Sequence, residues 1–576
     1  MSYLLRLQQA QTRKDLATIL GVQAKALSFI LHKIPSSEKY HTFGISKRNG
    51  GMREINAPEP RLKMLQKKLA TILYWCVDEI YENPPKGLYS HAYLKSRSTF
   101  TNAWKHKNRR YVLNLDIKDF FPSINFGRVR GYFIKHKSFN LQELTATVIA
   151  QIACHNNQLP QGSPCSPIIS NLIAHILDVR LVRFAQKHKC TYSRYADDIT
   201  FSTNQSQFPS ALAEQSTTHR HGWELGKNLT EEIQRAGFEV NTEKTKMQYR
   251  GSRQETTGLI VNKKVNVKSE YFKRTRAMCH SLFTTGEYHL SDSENPINDL
   301  NRLEGILGHI YHIKNQTDIR LSDKDNLNSS SIRKLYRRFL FYKHFVVNDK
   351  PVVLTEGKTD PLYLHIAIRK LKRFHPQLGE FHDKKFVGTL RFLKHTETMY
   401  EILKSTGGVT KILDFAMSYQ EEISNFEFRQ LSNPVIVLID NDGDTHKIFG
   451  ALNQKYKLDV SFKSKHSFYH INTNLYLVKT PEQGPDCKSN IEDLLDPKLL
   501  DVSLAGRKFD PQNKSSSDST FGKVIFAKQV VIPNADSSDF TRFEVLLDRF
   551  VAVLVHYRTH KYENLIENQN AVQTDD

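Results

Sequence analysis

The chain has 576 residues, of which 39% are hydrophobic and 10% aromatic, and its formal net charge is +22 at pH 7. This length predicts about two to four domains with apolar cores and excludes a single small domain. The basic surplus favours a polyanionic partner, because Lys and Arg displace condensed counterions from phosphates. A basic surface that serves only solubility is the alternative.

Membrane and extracellular functions are not expected. No apolar run is long enough to cross a membrane, and the N-terminal segment becomes polar too early for a signal peptide. The six cysteines are scattered and show neither a CxxC pair nor the Cys/His spacing of a zinc finger. We therefore predict a cytoplasmic protein with buried thiols and no membrane partner.

The first half of the chain alternates predicted helices and strands. Apolar residues at helical spacing over 14–32 predict a packed pair of amphipathic helices, with a helix-turn-helix as the alternative. A helix over 60–82 and a buried strand over 111–117 follow. Residues 140–190 are expected to be mainly helical, and 191–202 to form a hairpin.

The elements that follow lead into the second half, and the order is harder to assign over 268–345. A helix over 223–236 is expected to lead into a strand and a hairpin over 239–267. The Ser-, Asn- and Asp-rich segment 314–331 predicts a surface connection. Apolar strands at 351–357 and 433–444, separated by helices, predict a mostly parallel sheet in a second domain that begins near residue 340.

Three motifs in the first half carry acidic or phosphate-binding chemistry. Asp116 ends a strand in DIKDFF, LPQGSPCSP (159–167) opens a helix, and YADD (195–198) lies between two strand-like runs. Nucleotidyl transfer uses two divalent ions, and Mg²⁺ prefers oxygen ligands that rigid strand ends can hold. A lone Asp pair is common in turns, but these motifs in this order are specific. Asp116, Asp197 and Asp198 are therefore predicted to form a two-Mg²⁺ site.

These motifs resemble the reverse transcriptase family over about residues 1–315. The resemblance implies an α+β right-hand polymerase with fingers and palm in 1–250 and a thumb in about 251–315, acting on dNTPs. Asp116 and Asp197 would bind both ions with Asp198 assisting, and Lys244 would serve as general acid for pyrophosphate. It further implies a nucleotide-binding role for Lys47, Arg53, Phe121, Gln161 and Gly162. Phe121 would be the steric gate against a 2′-hydroxyl, with a core aromatic as the alternative.

Within that family the chain resembles bacterial retron reverse transcriptases. Asn102, Ala103 and His106 form an NAxxH pattern, and Thr257-Gly258 resembles the retron VTG element, although Thr256 replaces the usual Val. The resemblance assigns RNA binding to Asn102 and His106. It implies a structured non-coding RNA that serves as template and primer, a branched RNA–DNA product (multicopy single-stranded DNA) and a role in antiphage defence. Group II intron-type or diversity-generating enzymes, or an inactive RNA-binding scaffold, are the alternatives.

A second set of acids lies in the C-terminal half. Glu356 follows one predicted strand in TEGKTD, and Asp440 and Asp442 follow another in VIVLIDNDGD. Because the carboxyl ends of parallel strands are where α/β folds place ligands, these acids are predicted to meet and bind Mg²⁺ or Mn²⁺. Helix caps and turn acids are the alternative, since D-N-D-G also favours a turn.

This second pattern resembles the TOPRIM fold of topoisomerases, primases and overcoming-lysogenization-defect nucleases. We place this α/β domain at 346–576, after a linker at 316–345, and the resemblance itself covers about 350–550. Asp360 favours the nuclease branch, and Glu492 and Asp493 are candidate completing acids with a helix N-cap as the alternative. Lys523 is a candidate for stabilising a scissile phosphate. The resemblance thus implies a fused metal-dependent nuclease with a nucleic-acid substrate.

Overall fold

The structure is a computed structural model that describes residues 2–47, 50–81, 87–216, 222–291, 293, 295–319, 330–383, 385–403, 409–511 and 519–572. The chain divides into two compact units. The first consists of Met1–Ser269 and Ile313–Leu321, and the second of Glu270–His312 and Ser322–Asp576. This division differs from the sequence-based boundaries, which assign 270–312 to the polymerase.

The first unit opens with helices and an exposed hairpin. Its elements are α1 (Tyr3–Gln9), α2 (Arg13–Ile19), α3 (Ala24–His32), β1 (Tyr40–Ser46), β2 (Met52–Pro58) and α4 (Pro60–Tyr81). The α2–α3 pair confirms the prediction for 14–32, and a capping box between Thr12 and Asp15 fixes where α2 begins. Strands β1 and β2 pair in antiparallel register, with Ile45 opposite Arg53.

A four-stranded antiparallel sheet forms the centre of this unit. Helices and strands follow in the order α5 (Thr99–Lys105), β3 (Tyr111–Asp116), α6 (Phe126–Lys135), α7 (Glu143–Ala153), α8 (Ser166–Lys187), β4 (Thr191–Tyr195), β5 (Asp198–Thr203), β6 (Ala213–Gln215), β7 (Trp223–Leu225), α9 (Lys227–Arg235), β8 (Lys246–Tyr249), β9 (Glu255–Thr256) and β10 (Leu259–Ile260). The sheet order is β4-β5-β3-β8. Buried side chains from α4, α6, α7 and α8 join those of the sheet in one apolar core.

The predicted helix at 223–236 is wrong at its start. Trp223–Leu225 forms strand β7, which pairs with β6, and the helix begins only after Gly226. Pairing with a strand that lies before it in the chain decides the conformation of these residues, and local helical spacing does not report such pairing.

The second unit begins with helices that the sequence interpretation divided between thumb and linker. These are α10 (Ser269–Thr285), α11 (Leu300–Ile319), whose residues from Ile313 onward belong to the first unit, and α12 (Ser331–Phe341). Residues 331–341 are a helix with a buried apolar stripe, and the ring of Phe283 lies 5.2 Å from that of Tyr342. The expectation of a linker is therefore corrected for this segment, because aromatic packing draws it into the core. Residues 320–329 lie outside the described residues.

A five-stranded sheet follows in the second unit. Its helices and strands are β11 (Val352–Thr355), α13 (Asp360–Lys370), β12 (Gly379–His382), β13 (Lys385–Gly388), β14 (Arg391–Phe392), α14 (Val409–Ser424), β15 (Val435–Ile439), α15 (His446–Tyr456), β16 (Tyr469–Asn472), β17 (Leu475–Lys479), α16 (Pro497–Leu500), β18 (Lys508–Phe509), β19 (Thr520–Phe521), α17 (Lys523–Ile525) and α18 (Glu544–Val572). The order is β14-β11-β15-β17-β16, and only β16 is antiparallel to its neighbour. The predicted mostly parallel sheet is therefore present.

Strands β11 and β15 are buried along their whole length, as expected for central strands covered on both faces. Their carboxyl ends lie side by side, with Thr355 opposite Leu438. No helix in the described ranges is long and apolar enough to cross a membrane.

Candidate functional sites: two clusters of carboxylates

The fold brings the three acids of the first unit to one edge of its sheet. Asp116 ends β3 and lies opposite Asp198, the first residue of β5. Asp197 occupies the tight turn between β4 and β5, and its carbonyl accepts a hydrogen bond from the Ile117 N–H at 3.0 Å. The turn uses a left-handed residue, Ala196, with φ of 55°. The predicted juxtaposition of the three acids is thus present.

A buried ion pair that the sequence analysis missed holds this turn. Arg194, fully buried on β4, donates to both carboxylate oxygens of Asp178 at 2.7 Å and to the Ala196 carbonyl at 2.9 Å. The Tyr192 hydroxyl donates to the same carboxylate at 2.6 Å. A cation inside the predicted hairpin strand, just before YADD, was the available signal, since buried charges require partners.

We expect Asp178→Asn to destabilise the protein strongly. It leaves the Arg194 guanidinium buried without its counter-charge, which costs about 3–5 kcal/mol when one partner of a buried pair is removed. Chemical denaturation of the first unit measures this loss. Glu232→Gln, which removes surface ion pairs with Arg180 and Arg235, is the matched control and should cost about 1 kcal/mol or less. Equal stability of the Asp178 variant and the parent would contradict a structural role for this pair.

The carboxylates of the first cluster interact with one another and with two cations. Desolvation and the neighbouring Asp116 raise the pKa of Asp197, while Lys244 and Arg53 act to lower it. Desolvation and the charges of Asp197 and Asp116 raise the pKa of Asp198 to about 7. The ammonium group of Lys244 lies 2.9 Å from both carboxylate oxygens of Asp116. Negative charge is therefore concentrated at this edge of the sheet.

The donor set fits a divalent cation by its chemistry. Three carboxylates on adjacent strand ends supply the hard oxygen ligands that Mg²⁺ prefers, and the Lys244 ammonium acts as a stand-in cation on Asp116. Within the described ranges, no group of three or more His, Cys, Asp or Glu side chains is already arranged to hold a metal ion. Ion binding at Asp116, Asp197 and Asp198 therefore stays a prediction.

The residues predicted to bind the nucleotide lie on β1–β2 and on two nearby loops. Lys47 and Arg53 are exposed near the end of the β1–β2 hairpin. The Asn56 N–H donates to the Gln161 carbonyl at 2.7 Å, so the LPQG loop lies on β2. Gly162 has φ of +118°, and a Cβ there would lie 2.7 Å from the Asn56 carbonyl oxygen. Only glycine fits this close approach.

The neighbouring rings of Phe120 and Phe121 differ in exposure: the first is buried and the second is partly exposed. Phe120 is 3% exposed, whereas Phe121 is only half-buried, and their rings meet edge to face at 5.4 Å. Phe120 is thus the core aromatic, and Phe121 keeps a surface that can face a ligand. The steric-gate assignment stays a prediction.

The assignment of Asn102 and His106 to direct RNA contact is corrected. Both side chains are 0% exposed. His106 bonds Ser202 and Ser193 through its two ring nitrogens at 2.7 Å, and Ser193 donates to Asn102 at 2.6 Å. Burial lowers the pKa of His106 to about 3, so it is neutral in the fold. The NAxxH pattern therefore ties α5 to strands β4 and β5 from inside.

The second cluster lies at the carboxyl edge of the parallel sheet. Glu356 follows β11, Asp440 follows β15, and Asp360 opens α13. Asp360 accepts from the Gly357 N–H at 2.8 Å, and Asp440 accepts from the Ile491 N–H at 2.9 Å. This contact brings the 490–494 segment to the same edge of the sheet.

Glu492 and Asp493 have different surroundings. Asp493 accepts from the Asn490 N–H at 2.8 Å in a capping box, so the alternative prediction of a cap holds for this residue. Glu492 is 3% exposed and accepts from Lys523 Nζ at 3.0 Å. The structure therefore places Glu492, and with it Lys523, among the clustered acids.

The acids of the second cluster raise one another's pKa values. Desolvation together with Asp442 and Asp360 raises the pKa of Glu356 to about 7, and desolvation with Glu492 raises that of Asp360 to about 6. Desolvation, together with the charges of Asp360, Glu492 and Glu356, raises the pKa of Asp440 well above its usual range. Despite desolvation, the acids and chiefly Glu492 raise the pKa of Lys523.

Two buried carboxylate oxygens in this cluster have no hydrogen-bond partner, Oε2 of Glu356 and Oε1 of Glu492. A buried unsatisfied oxygen is costly, and a hard cation would satisfy both. The chemistry of the donors therefore fits Mg²⁺ or Mn²⁺, although metal binding itself stays a prediction.

Residues 45–272 match the reverse transcriptase (RNA-dependent DNA polymerase) family. The retron Mx65 reverse transcriptase of Myxococcus xanthus is 33% identical over 290 residues, which are 47% of this chain and 62% of that protein. The retron Mx162 enzyme of the same organism is 32% identical over 276 residues, covering 44% and 54%. The retron Ec86 reverse transcriptase of Escherichia coli is 29% identical over 272 residues, covering 47% and 77%.

The apo telomerase of Candida tropicalis shares 15% identity with a TM-score of 0.31 and covers 53% of this chain and 60% of its own, too low an overlap to carry an argument. Over residues 45–272 the chain is thus similar to reverse transcriptases, those of retrons among them. It spans less than two thirds of the length of the two Myxococcus relatives.

Proposed function

We propose that the chain is a retron RNA-directed DNA polymerase that copies a cognate non-coding RNA into a branched RNA–DNA hybrid. The observation that carries this proposal is the pairing of Asp116 with Asp198 beside the Asp197 turn, at one rigid edge of the sheet. The match to reverse transcriptases and the similarity to retron enzymes support it.

In the proposed reaction the three carboxylates would hold two Mg²⁺ ions, whose chemistry when bound would be to activate the primer hydroxyl and to stabilise the leaving pyrophosphate. Lys47 and Arg53 approach the triphosphate of a dNTP from the hairpin. The positive charge of Arg53 already acts to lower the pKa of Asp197. Gln161, on the loop fixed to β2, lines the nucleotide pocket. Lys244 donates a proton to the pyrophosphate.

Phe121→Ala tests the proposed sugar gate. The smaller side chain leaves space for a 2′-hydroxyl, so we expect discrimination against ribonucleotides to fall by about 10- to 100-fold, the range for a lost steric contact in a pocket. Primer extension with dNTPs and with rNTPs measures the ratio of kcat/KM values. Phe126→Ala, which changes another partly buried ring of the same core, is the control. Unchanged discrimination would leave Phe121 as a packing residue.

An RNA partner is also supported by a basic cavity at the opposite end of the same sheet from Asp116. This cavity of about 550 Å³ is lined by Asn108, Arg250, Ile260, Asn262, Lys263, Lys264 and Asn266. Arg250 follows β8 directly, at the end where Tyr249 pairs with Tyr111. Three cations around one cavity suit phosphate groups of a folded RNA.

We expect the charge reversals Lys263→Glu and Lys264→Glu together to weaken RNA binding by about tenfold or more at physiological salt and to reduce the salt dependence. Electrophoretic mobility shift with the RNA encoded beside the gene measures both effects. Lys187→Glu and Lys189→Glu, at the end of α8, form the control pair. Equal losses in both pairs would indicate a general charge effect and not a binding surface.

For the second unit we propose a metal-dependent nuclease of TOPRIM type that acts as the effector of antiphage defence. The acidic cluster at the ends of β11 and β15, with its two unsatisfied carboxylate oxygens, supports this assignment. Lys523, bonded to Glu492, is the cation available to a scissile phosphate.

The polymerase proposal is tested by extracting nucleic acid from the purified chain expressed with its flanking DNA. A short discrete DNA that shifts on treatment with a debranching enzyme, and that is missing from the Asp197→Ala variant, is the expected result. If no such DNA is found and the chain extends any annealed primer on a generic RNA template, the retron assignment fails and another reverse transcriptase class takes its place.

A further inference from the structure

The ion pair between Lys244 and Asp116 is the closest contact of a cation with the first carboxylate cluster in the described residues. The Lys244 ammonium lies 2.9 Å from each of the two carboxylate oxygens. The side chain of Asp116 is 13% exposed, whereas that of Lys244 is 59% exposed. The bridge thus covers both oxygens of a largely buried acid with a group that can move into solvent.

The backbone aims Lys244 at this acid. Lys244 ends a 3₁₀ turn, Thr242–Lys244, just before β8. The Asn241 N–H donates to the Asp116 carbonyl at 2.8 Å, and the Lys118 N–H donates to the Glu239 carbonyl at 2.8 Å. These bonds fasten the turn to the end of β3. The backbone of Lys244 is therefore fixed, while its side chain reaches Asp116 across exposed surface.

We propose that Lys244 is a resident counter-cation that occupies Asp116 before a divalent cation binds and that lowers the metal affinity of the site. This inference rests on the proposed function, because it takes Asp116 as a metal ligand. It goes beyond a proton-donating role, since it concerns the enzyme before any nucleotide reacts.

The physical reason is competition for the same two oxygens. A hard divalent cation and an ammonium group both need the carboxylate of Asp116, and they cannot both contact it in this bidentate manner. Three clustered carboxylates repel one another, so a lysine that neutralises one of them also steadies the site before metal binds. Its exposed side chain can then leave without disturbing the core.

The test measures metal affinity directly, with Mn²⁺ as the probe. The full-length chain carries Glu356→Gln and Asp440→Asn in every sample, so that the second cluster does not contribute. Lys244→Gln in this background is compared with Lys246→Gln, which removes the same charge from an exposed position two residues away. Electron paramagnetic resonance of free Mn²⁺ and isothermal titration calorimetry give the dissociation constants without nucleotide or RNA.

We expect Lys244→Gln to tighten Mn²⁺ binding by about two- to fivefold, the value of a partly exposed ion pair expressed as a ratio of affinities. Lys246→Gln should change it by less than about twofold. Unchanged or weaker binding in Lys244→Gln, or equal tightening in both variants, overturns the inference.

Asp197→Asn in the same background separates the two proposals. If it abolishes Mn²⁺ binding while Lys244→Gln has no effect, the metal assignment stands and only the counter-cation role fails. If Asp197→Asn leaves Mn²⁺ binding unchanged, or no variant binds Mn²⁺, the metal assignment fails and the inference fails with it.

Discussion

Asp197→Asn is expected to abolish DNA synthesis, with a loss of at least about a thousandfold, because several kcal/mol of metal-dependent transition-state stabilisation disappear and each 1.36 kcal/mol is tenfold in rate. The substitution preserves shape and removes one charge from a crowded cluster. The thermal stability of the variant should therefore equal or exceed that of the parent, since desolvation and the neighbouring charge of Asp116 raise the pKa of Asp197 in the fold.

Single-turnover extension of a primed RNA template measures this loss. Asp119→Asn is the matched control, because Asp119 is exposed, lies three residues after Asp116 and undergoes the same chemical change. RNA binding should be retained by both variants. If the Asp197 variant kept more than about a tenth of the parent rate, the carboxylate would contribute less than about 1.4 kcal/mol to lowering the activation free energy. Such a small contribution would contradict its role as a metal ligand.

Glu356→Gln is expected to abolish metal-dependent cleavage by the second unit and to leave DNA synthesis unchanged. Glu356 has a partner-free buried oxygen and stands beside Asp442 and Asp360, so it is central to the predicted metal site. Nuclease assays on RNA and DNA with Mg²⁺ or Mn²⁺ measure cleavage, and primer extension measures synthesis. Glu380→Gln, an exposed acid of the same unit, is the control. Loss of both activities would indicate that the halves act as one unit.

The effect of Glu356→Gln on stability is expected to depend on pH. The folded-state pKa of Glu356 is raised from 4.5 to about 7, so its protonation favours the fold below pH 4.5 and this advantage is lost as pH rises through 7. As pH rises across that range, the free energy of unfolding of the metal-free Glu356→Gln protein should therefore increase relative to that of the parent. The difference should reach about 1–3 kcal/mol at pH 8. Denaturant titrations at pH 5 and pH 8 measure the difference, and an equal difference at both values would contradict the coupling.

Local patterns in the sequence were enough to predict the strands and helices that carry the acids, and with them the positions of the acids. Asp116, Glu356 and Asp440 each follow a run of apolar residues of strand length, and a buried strand that ends in an acid places that acid at a sheet edge. The helix over 60–82 and the α2–α3 pair follow from apolar spacing alone. These features depend on neighbours within a few residues, which the sequence displays directly.

Only the tertiary structure decided which polar residues face a ligand and which are internal. Asn102 and His106 are fully buried, and Asp178 and Arg194 form an ion pair 16 residues apart in sequence. Whether a polar side chain is internal depends on elements that arrive from elsewhere in the chain, so its type and spacing cannot reveal it.

Contacts between distant segments also explain why Glu492 bonds Lys523 whereas Asp493 caps a local turn. They likewise pair Lys244 with Asp116, which lies 128 positions earlier in the sequence. They also draw residues 331–341 into the packed core of the second unit in place of a linker. The sequence by itself determined the chemistry available at each strand end. Long-range packing and charge pairing determined which of those groups meet, because the free energy of burying a charge or an aromatic ring depends on the partner that the fold supplies.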